Sequence, residues 1–168
     1  MNQSPVASAA QILFDRGPER GTFVLHAEQW LPCSRPQLFE FFSDAFKLET
    51  LTPPLLRFQV CTPAPIVIQA GTLIDYRLRL HRIPIRWQSE ISVWEPPLRF
   101  VDRQTRGPYR FWQHEHRFVE HEGGTQVIDH VVYRALGGAL VNRLFVVPDL
   151  RNIFGFRTQK LREIFSGG

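Results

Sequence analysis

Residues 107–118 read GPYRFWQHEHRF, and from Trp112 onward bulky or imidazole side chains alternate with polar ones. A period of two places alternate side chains on one face of a β-strand. Because tryptophan and phenylalanine favour burial, this alternate set is expected to face the interior and the polar set to face solvent. The predicted inner face carries Trp112, His114, His116 and Phe118.

The chain on both sides of this strand has the pattern of short, consecutive strands. Apolar and polar residues alternate clearly at 74–80 and 127–133. The connections are too short for parallel crossovers, so six strands between residues 56 and 136 are expected to form an antiparallel sheet with a seventh at 21–31. The predicted turns lie at 62–65, 70–71, 82–84, 96–97, 106–108 and 122–124.

Helical spacing appears at two places outside the strands. Apolar residues after Ser34, a suitable N-cap, predict two short helices that follow the first strand. A second apolar stripe extends over residues 140–165, and Pro148 within it is expected to kink the helix. The predicted fold class is therefore α+β, with a curved seven-stranded antiparallel sheet wrapped around one long C-terminal helix.

Length and composition indicate one folded domain. The chain has 168 residues, of which 43% are hydrophobic, and this is enough for a single sizeable core. Residues 21–168 are expected to form that domain, and the unpatterned residues 1–20 are expected to be a loose N-terminal arm. Two cysteines are too few for a disulfide framework or a structural zinc site.

The charge distribution gives no sign of a nucleic-acid binder. The net charge is only +4, and the surplus lies in residues 134–168, which carry 6 basic and 2 acidic side chains. We expect a cytoplasmic protein without stable membrane insertion, because the sequence shows neither a signal peptide nor an apolar run long enough to span a bilayer. No protein partner is indicated. The basic residues of the last helix are interpreted as a solvated face: Arg143, Arg151, Arg157, Lys160 and Arg162.

Several motifs are more specific than the element order: LFEFFSDA at 38–45, LTPP at 51–54, IPIRW at 83–87, WEPP at 94–97, FVDRQ at 100–104 and the run at 107–118. Together they resemble the SRPBCC superfamily, which includes birch-pollen-allergen-like proteins, START lipid-transfer domains and polyketide cyclases. The sequence looks most like a bacterial ligand-binding branch related to polyketide cyclases and dehydrases, and the resemblance covers about residues 21–165. It implies the helix-grip fold, in which a cavity between sheet and helix holds a lipid, a polyketide-like or an isoprenoid-like molecule.

The predicted hairpins bring acidic residues opposite the two histidines of the 107–118 strand. Directly opposed side chains in an antiparallel pair have their Cβ atoms about 4.5–5.5 Å apart, close enough for a carboxylate to hold an imidazole. A register shift of one residue would break both contacts. The predicted pairs are Asp102–His114 and Asp129–His116, with Gln104 and Tyr133 opposite Trp112.

Three interpretations of this cluster remain open from the sequence. Each imidazole can be a satisfied structural group, the polar residues can orient a small molecule in an aromatic pocket, or the histidines can act in catalysis or metal binding. No independent third ligand is visible, and a carboxylate partner for each histidine would occupy its ring nitrogens. We therefore expect neither a metal nor another cofactor.

The function predicted from these features is the binding of a small hydrophobic or aromatic molecule. The alternative is a cyclase- or dehydratase-like enzyme that uses His114 or His116 as a general acid or base. The sequence carries no glycine-rich phosphate loop and no Gly-x-Ser-x-Gly motif. The residues expected to bind the ligand are Tyr76, Trp87, Asp102, Gln104, Trp112, His114, His116, Phe118, Asp129, Tyr133 and Phe154.

Overall fold

A computed structural model describes residues 10–166. In this range the chain forms an antiparallel sheet, two short helices after the second strand and a long helical segment at the C-terminus. The strands are β1 (Gln11–Arg16), β2 (Phe23–Leu31), β3 (Gln59–Val60), β4 (Leu73–Leu80), β5 (Ile83–Glu95), β6 (Arg99–Arg106), β7 (Phe111–His121) and β8 (Gly124–Arg134). The helices are α1 (Arg35–Phe42), α2 (Lys47–Thr50), α3 (Gly138–Val141) and α4 (Val147–Ser166).

The eight strands lie in the order β1-β2-β8-β7-β6-β5-β4-β3, and every neighbouring pair is antiparallel. Consecutive hairpins build β4 to β8, as the short connections predicted. The β7–β8 hairpin turns at Glu122 and Gly123, which both have a positive φ, as a two-residue type I′ turn requires. This turn fixes the register that places β7 against β8.

The expected strand count of seven is wrong by one, because residues 11–16 form an additional edge strand, β1, paired with β2. This segment falls in the stretch that was expected to be a loose arm. Its alternating pattern extends over only six residues, too few to stand out without its partner strand. The first nine residues of the expected arm lie outside the described residues, and the single domain at 21–168 remains a prediction.

The helices agree with their sequence signals. The Ser34 side chain accepts a hydrogen bond from the backbone N–H of Gln37 and so caps α1. The C-terminal helix is continuous from Gly138 to Ser166, but residues 142–146 form a turn of π-helix directly before Pro148. Proline removes one helical N–H and its ring crowds the carbonyl four residues earlier, which explains the irregular turn at this place.

The core lies between the concave face of the sheet and α4. Residues of β2, β7 and β8 alternate between buried and less buried side chains, as strands with one covered face do. The buried side chains of α4 are Leu150, Phe154, Arg157 and Leu161. No helix among residues 10–166 has both the length and the hydrophobicity to cross a bilayer.

Candidate functional site

A cavity of about 200 Å³ lies between α4 and the inner face of the sheet. Most of its wall is apolar, with contributions from α1, α2, the central strands and α4. Five polar side chains on the wall form one connected group: Ser89, Asp102, His114, His116 and Arg157. The wall also includes Asp44, Lys47, Thr52 and Asp149.

The strand β7 brings both histidines to this wall, as the alternation predicted. His114 and His116 are 5% and 4% exposed, and they lie between two buried aromatic residues, Trp112 and Phe118. The side chain of Glu115, which lies between the two histidines, instead contacts Arg99 and Arg117. Burying two imidazoles is costly unless their nitrogen atoms find partners, so the neighbouring strands decide whether this arrangement is stable.

The predicted registers are present in the structure. Asp102 of β6 lies opposite His114, and Asp129 of β8 lies opposite His116. The contacts, however, are not the two separate pairs that were predicted. Instead, each carboxylate faces both rings. The diagonal contacts, Asp129 with His114 and Asp102 with His116, are as short as or shorter than the directly opposed ones.

Asp129 contacts both histidines from beneath the cavity wall. Its Oδ1 atom lies 2.9 Å from Nε2 of His114 and 2.9 Å from Nδ1 of His116. Asp102 faces the other nitrogen of each ring, at 3.2 Å from Nε2 of His116 and 3.8 Å from Nδ1 of His114. The two imidazole centroids are 3.8 Å apart. The four side chains therefore form one compact cluster.

The fifth member of this cluster is Arg157, which was not among the residues predicted for the site. It was interpreted as part of a solvated helix face, and that interpretation is wrong: Arg157 is 7% exposed, with its guanidinium 3.5 Å from Oδ1 of Asp129 and 3.3 Å from Nδ1 of His116. The signal was available, because residue 157 lies three residues after Phe154 and four before Leu161 on the buried stripe. A charge on that stripe indicates a buried partner.

Arg157 also explains why a carboxylate is tolerated at Asp129. Burial by itself raises the pKa of this carboxyl, but the Arg157 charge and the hydrogen bonds of the two histidines outweigh it, so the pKa lies well below the usual range. For Asp102, too, burial is outweighed by the hydrogen bond with His116 and by the proximity of His114, so its pKa is lowered. Both carboxyl groups are therefore ionised at neutral pH.

The imidazole of His114 is neutral at neutral pH. Burial is the main cause, with the proximity of His116 second, and together they lower the pKa of His114 to about 4 despite the hydrogen bond with Asp129. A neutral ring carries one N–H and one lone pair. With Nε2 donating to Asp129, the lone pair of His114 is at Nδ1, on the side of Asp102.

A short hydrogen-bond chain fixes the orientation of Asp102. The indole N–H of Trp87 donates to Oγ of Ser89 at 3.0 Å, and the Ser89 hydroxyl donates to Oδ1 of Asp102 at 3.3 Å. This arrangement leaves Oδ2 directed towards the two histidines. The sequence pattern of β5 does not reveal this role of Ser89, because its hydroxyl contacts a residue on the next strand.

The structure brings together seven of the eleven predicted ligand-binding residues at the cavity wall. These are Tyr76, Trp87, Asp102, Trp112, His114, His116 and Phe154.

The other four predicted residues do not line the cavity. Gln104 instead bonds the backbone N–H and carbonyl of Tyr109 and so braces the β6–β7 hairpin. Phe118 and Tyr133 are 1% and 0% exposed and pack in the core, and Asp129 lies behind the histidines. Alternation identified the inner face of each strand, but it did not show which inner positions are covered by other side chains.

One group within the cluster has a composition suited to a metal ion. Asp102, His114 and His116 each offer a ligand atom, and these atoms lie within 4.8 Å of one another. Two histidines and one carboxylate are a common donor set for divalent transition metals. The sequence led to the expectation of no metal, because a carboxylate partner for each histidine would occupy its ring nitrogens. In the structure each of the four ring nitrogens lies 2.9 to 3.8 Å from a carboxylate oxygen.

Comparison with known proteins gives information on the fold. Neither a protein-family model nor a curated protein matches the sequence. Solved structures do match, among them protein Ms6760 from Mycobacterium smegmatis, which is 14% identical with a TM-score of 0.65 over 94% of this chain and 99% of that chain. The ginseng major latex-like protein 151 from Panax ginseng is 9% identical, with a TM-score of 0.65 over 86% of this chain and 98% of that chain.

A protein from Arthrobacter aurescens is also similar, at 14% identity and a TM-score of 0.69 over 90% of this chain and 91% of that chain. This chain has the helix-grip fold. These similarities show the fold alone, and they agree with the predicted antiparallel sheet and long C-terminal helix, which the structure confirms. Because a shared fold does not determine function, the helix-grip cavity itself has to carry the functional argument.

Proposed function

We propose that this protein binds a small apolar or aromatic molecule in its helix-grip cavity. The observation that carries the proposal is the cavity between the sheet and α4, whose mostly apolar wall includes the connected polar group around the two histidines. Ligand sites typically combine mostly hydrophobic surroundings with a few polar groups that orient the ligand. Trp87, Trp112 and Phe154 supply aromatic surface, and the Asp102 and His114 region supplies polar contacts.

The volume of the cavity indicates the size of ligand that it can hold. An apolar cavity of roughly 150 Å³ holds a benzene molecule. The cavity of about 200 Å³ therefore suits a substituted one-ring or a compact two-ring molecule better than a long lipid chain. A ligand with one hydroxyl, carbonyl or carboxyl group would place its rings among the aromatic side chains and its oxygen near the histidines.

The alternative is an enzyme of the cyclase or dehydratase kind, and the observation in its favour is His114, held by Asp129 at the cavity wall. A general base works best when its pKa lies near the working pH. The pKa of His114 is lowered to about 4, which leaves its imidazole a weak base at neutral pH. This difference favours binding over proton abstraction by His114.

A neutral fluorescent probe tests the binding proposal. 2-Naphthol, a two-ring molecule with one hydroxyl group, reports an apolar site by a change in its emission. We expect saturable binding. Ile153 of α4 lies on the cavity wall, and Ile153→Trp should weaken binding by at least about tenfold because the larger side chain occupies part of the cavity. The matched control is Ile164→Trp, the same substitution at a position of α4 that is 41% exposed, and it should bind like the unmodified protein.

Two results would overturn the proposal. One is the absence of saturable probe binding together with no co-purified apolar molecule after organic extraction and mass spectrometry. The other is equal weakening by both tryptophan variants, since the probe would then be bound at a surface rather than in the cavity. Turnover of a carbonyl compound that is lost in His114→Gln, with probe binding retained, would establish the enzyme instead.

A further inference from the structure

Three potential metal ligands converge on the polar part of the cavity wall. Nε2 of His116 lies 3.2 Å from Oδ2 of Asp102, and Nδ1 of His114 lies 3.8 Å from the same oxygen. All three side chains also line the cavity. A donor set that faces a cavity, rather than the closed core, leaves room for further ligands on an ion.

Asp129 holds the opposite side of both rings. Its Oδ1 atom lies 2.9 Å from Nε2 of His114 and 2.9 Å from Nδ1 of His116, the nitrogens that do not face Asp102. Metal-bound histidines usually donate their other ring N–H to a carboxylate or a carbonyl, which fixes the ring and its tautomer. One buried carboxylate that orients two imidazoles towards a second carboxylate is the arrangement expected around a metal ion.

The charges of the cluster also suit a cation at this place. Arg157 lies 3.5 Å from Asp129 and balances its negative charge. Asp102 is held by Ser89, a neutral group, at 3.3 Å and by Nε2 of His116 at 3.2 Å. A divalent ion would neutralise Asp102 where the ring nitrogens already converge.

The separations are close to those that an ion requires. Two donor atoms that are each about 2.1 Å from one ion lie about 3.0–3.4 Å apart at octahedral or tetrahedral angles. The contact between Asp102 and His116 falls within this range at 3.2 Å, and the contact between Asp102 and His114 is longer at 3.8 Å. A shift of about half an ångström by the Asp102 carboxylate would bring both into range.

We propose that Asp102, His114 and His116 form a binding site for a divalent first-row transition metal ion, with its open coordination positions directed into the cavity. Without the ion, a proton occupies the contact between His116 and Asp102. On binding, the ion displaces this proton to solvent, and Nδ1 of His116 stays directed at Oδ1 of Asp129, 2.9 Å away. Imidazole and carboxylate donors suit Zn²⁺, Co²⁺ and Fe²⁺.

This site does not depend on the proposed apolar ligand, since the ion is held by protein side chains alone. From the sequence we expected no metal, because no independent third ligand was visible and a carboxylate partner for each histidine would occupy its ring nitrogens. In the structure a single carboxylate, Asp129, orients both rings, and one nitrogen of each ring faces Asp102.

The test uses Co²⁺, whose visible absorption reports its ligands. The full-length protein is stripped with a chelator, dialysed and titrated with Co²⁺, and the result is repeated by competition with Zn²⁺. We expect one equivalent to bind with visible ligand-field bands. Asp129→Asn should weaken binding about 10–100-fold, and Asp102→Asn should weaken it more, because it removes a ligand rather than an orienting group.

A second histidine cluster provides the matched control. His26 and His130 lie opposite each other on the outer face of the sheet, 6.2 Å between ring centroids, and His26 lies 3.6 Å from Glu28. The variant His130→Gln should bind Co²⁺ as the unmodified protein does. Equal loss in His130→Gln and Asp102→Asn would contradict the proposal, because binding would then not be specific to the cavity.

A measurement on the unmodified protein covers the case in which a buried variant fails to fold. Zn²⁺ is titrated into protein with ¹⁵N-labelled histidines, and the ring nitrogens are observed by NMR. We expect the ring resonances of His114 and His116 to shift together at one equivalent, while those of His26 and His130 stay in place. Absence of any shift at His114 and His116 would refute the site, whatever the state of the variants.

Discussion

Replacement of Arg157 by leucine tests whether the carboxylate beneath the histidines depends on a single guanidinium. The side chains of Arg157 and Asp129 are only 8% and 7% exposed, and they approach to 3.5 Å. At this distance the pair interacts by about 5 kcal/mol with an effective dielectric constant near 20. Since removing one partner of a buried pair leaves an uncompensated charge, we expect Arg157→Leu to lower the free energy of unfolding by about 3–5 kcal/mol.

The assay is urea unfolding together with thermal unfolding followed by circular dichroism. For a chain of this size the expected loss corresponds to a fall of roughly 6–20 °C in Tm. The control is Arg162→Leu, an exposed arginine on the same helix, which should change stability by less than about 0.5 kcal/mol. Asp129→Asn, introduced into the Arg157→Leu background, should cost much less than Asp129→Asn alone, since the two residues are coupled.

The reasoning would be refuted if Arg157→Leu cost less than about 1 kcal/mol, or if the two substitutions were additive within about 0.5 kcal/mol. Either result would mean that Asp129 does not rely on Arg157 and that its charge is balanced in another way. The contacts of Arg157 with the rings of Phe42 and Phe154 would then be its main role.

Three further predictions concern other parts of the molecule. His81, in the β4–β5 turn, contacts Asp149 of α4 at 2.8 Å beside the cavity. His81→Gln should speed probe dissociation in stopped-flow fluorescence while lowering the free energy of unfolding by less than about 1 kcal/mol. Unchanged kinetics would show that this contact does not restrain release of the probe from the cavity. Phe118→Leu should lower the free energy of unfolding by about 1–3 kcal/mol in urea titrations and leave probe affinity unchanged, because Phe118 packs in the core and does not line the cavity. Reduced probe affinity of the folded variant would place Phe118 in the binding site. Burial and the nearby His26 lower the pKa of His130, so the unfolded chain binds its proton at higher pH and stability should fall as the pH drops through about 6.5. His26→Gln should reduce that loss between about pH 7.5 and about pH 5.5, and an unchanged pH profile would contradict the role of His26.

The sequence predicted the architecture well because its signals are local and repeated. Alternation in β7 placed Trp112, His114 and His116 on the inner face, and hairpin turns with short connections fixed antiparallel neighbours. The register of both hairpins, and therefore the meeting of Asp102 and Asp129 with the histidines, also followed from turn positions. The edge strand β1 was missed because a six-residue strand has little pattern of its own and is stabilised by its pairing with β2.

The candidate site was predicted only in part. Inner-face positions such as Phe118 and Tyr133 could not be separated from cavity positions, because coverage by α1 and α4 depends on how distant segments pack. Likewise, the cross-strand pairs were expected to be separate, yet a side chain of two or three rotatable bonds can reach a diagonal neighbour as easily as the opposite one. The side-chain rotamers in the packed core decide between the opposed and the diagonal contacts, and a sequence pattern does not predict these rotamers.

The sequence by itself determined the run of antiparallel hairpins from β4 to β8, the inner face of β7 and the long C-terminal helix, since each follows from backbone periodicity and turn chemistry. The tertiary structure alone decided that Arg157 lies beneath the histidines and that Asp129 and Asp102 each contact both rings. The physical reason is that a charged group becomes stable in the interior only when groups from three strands and one helix meet around it. Such a meeting involves residues far apart in the chain, so only packing can specify it.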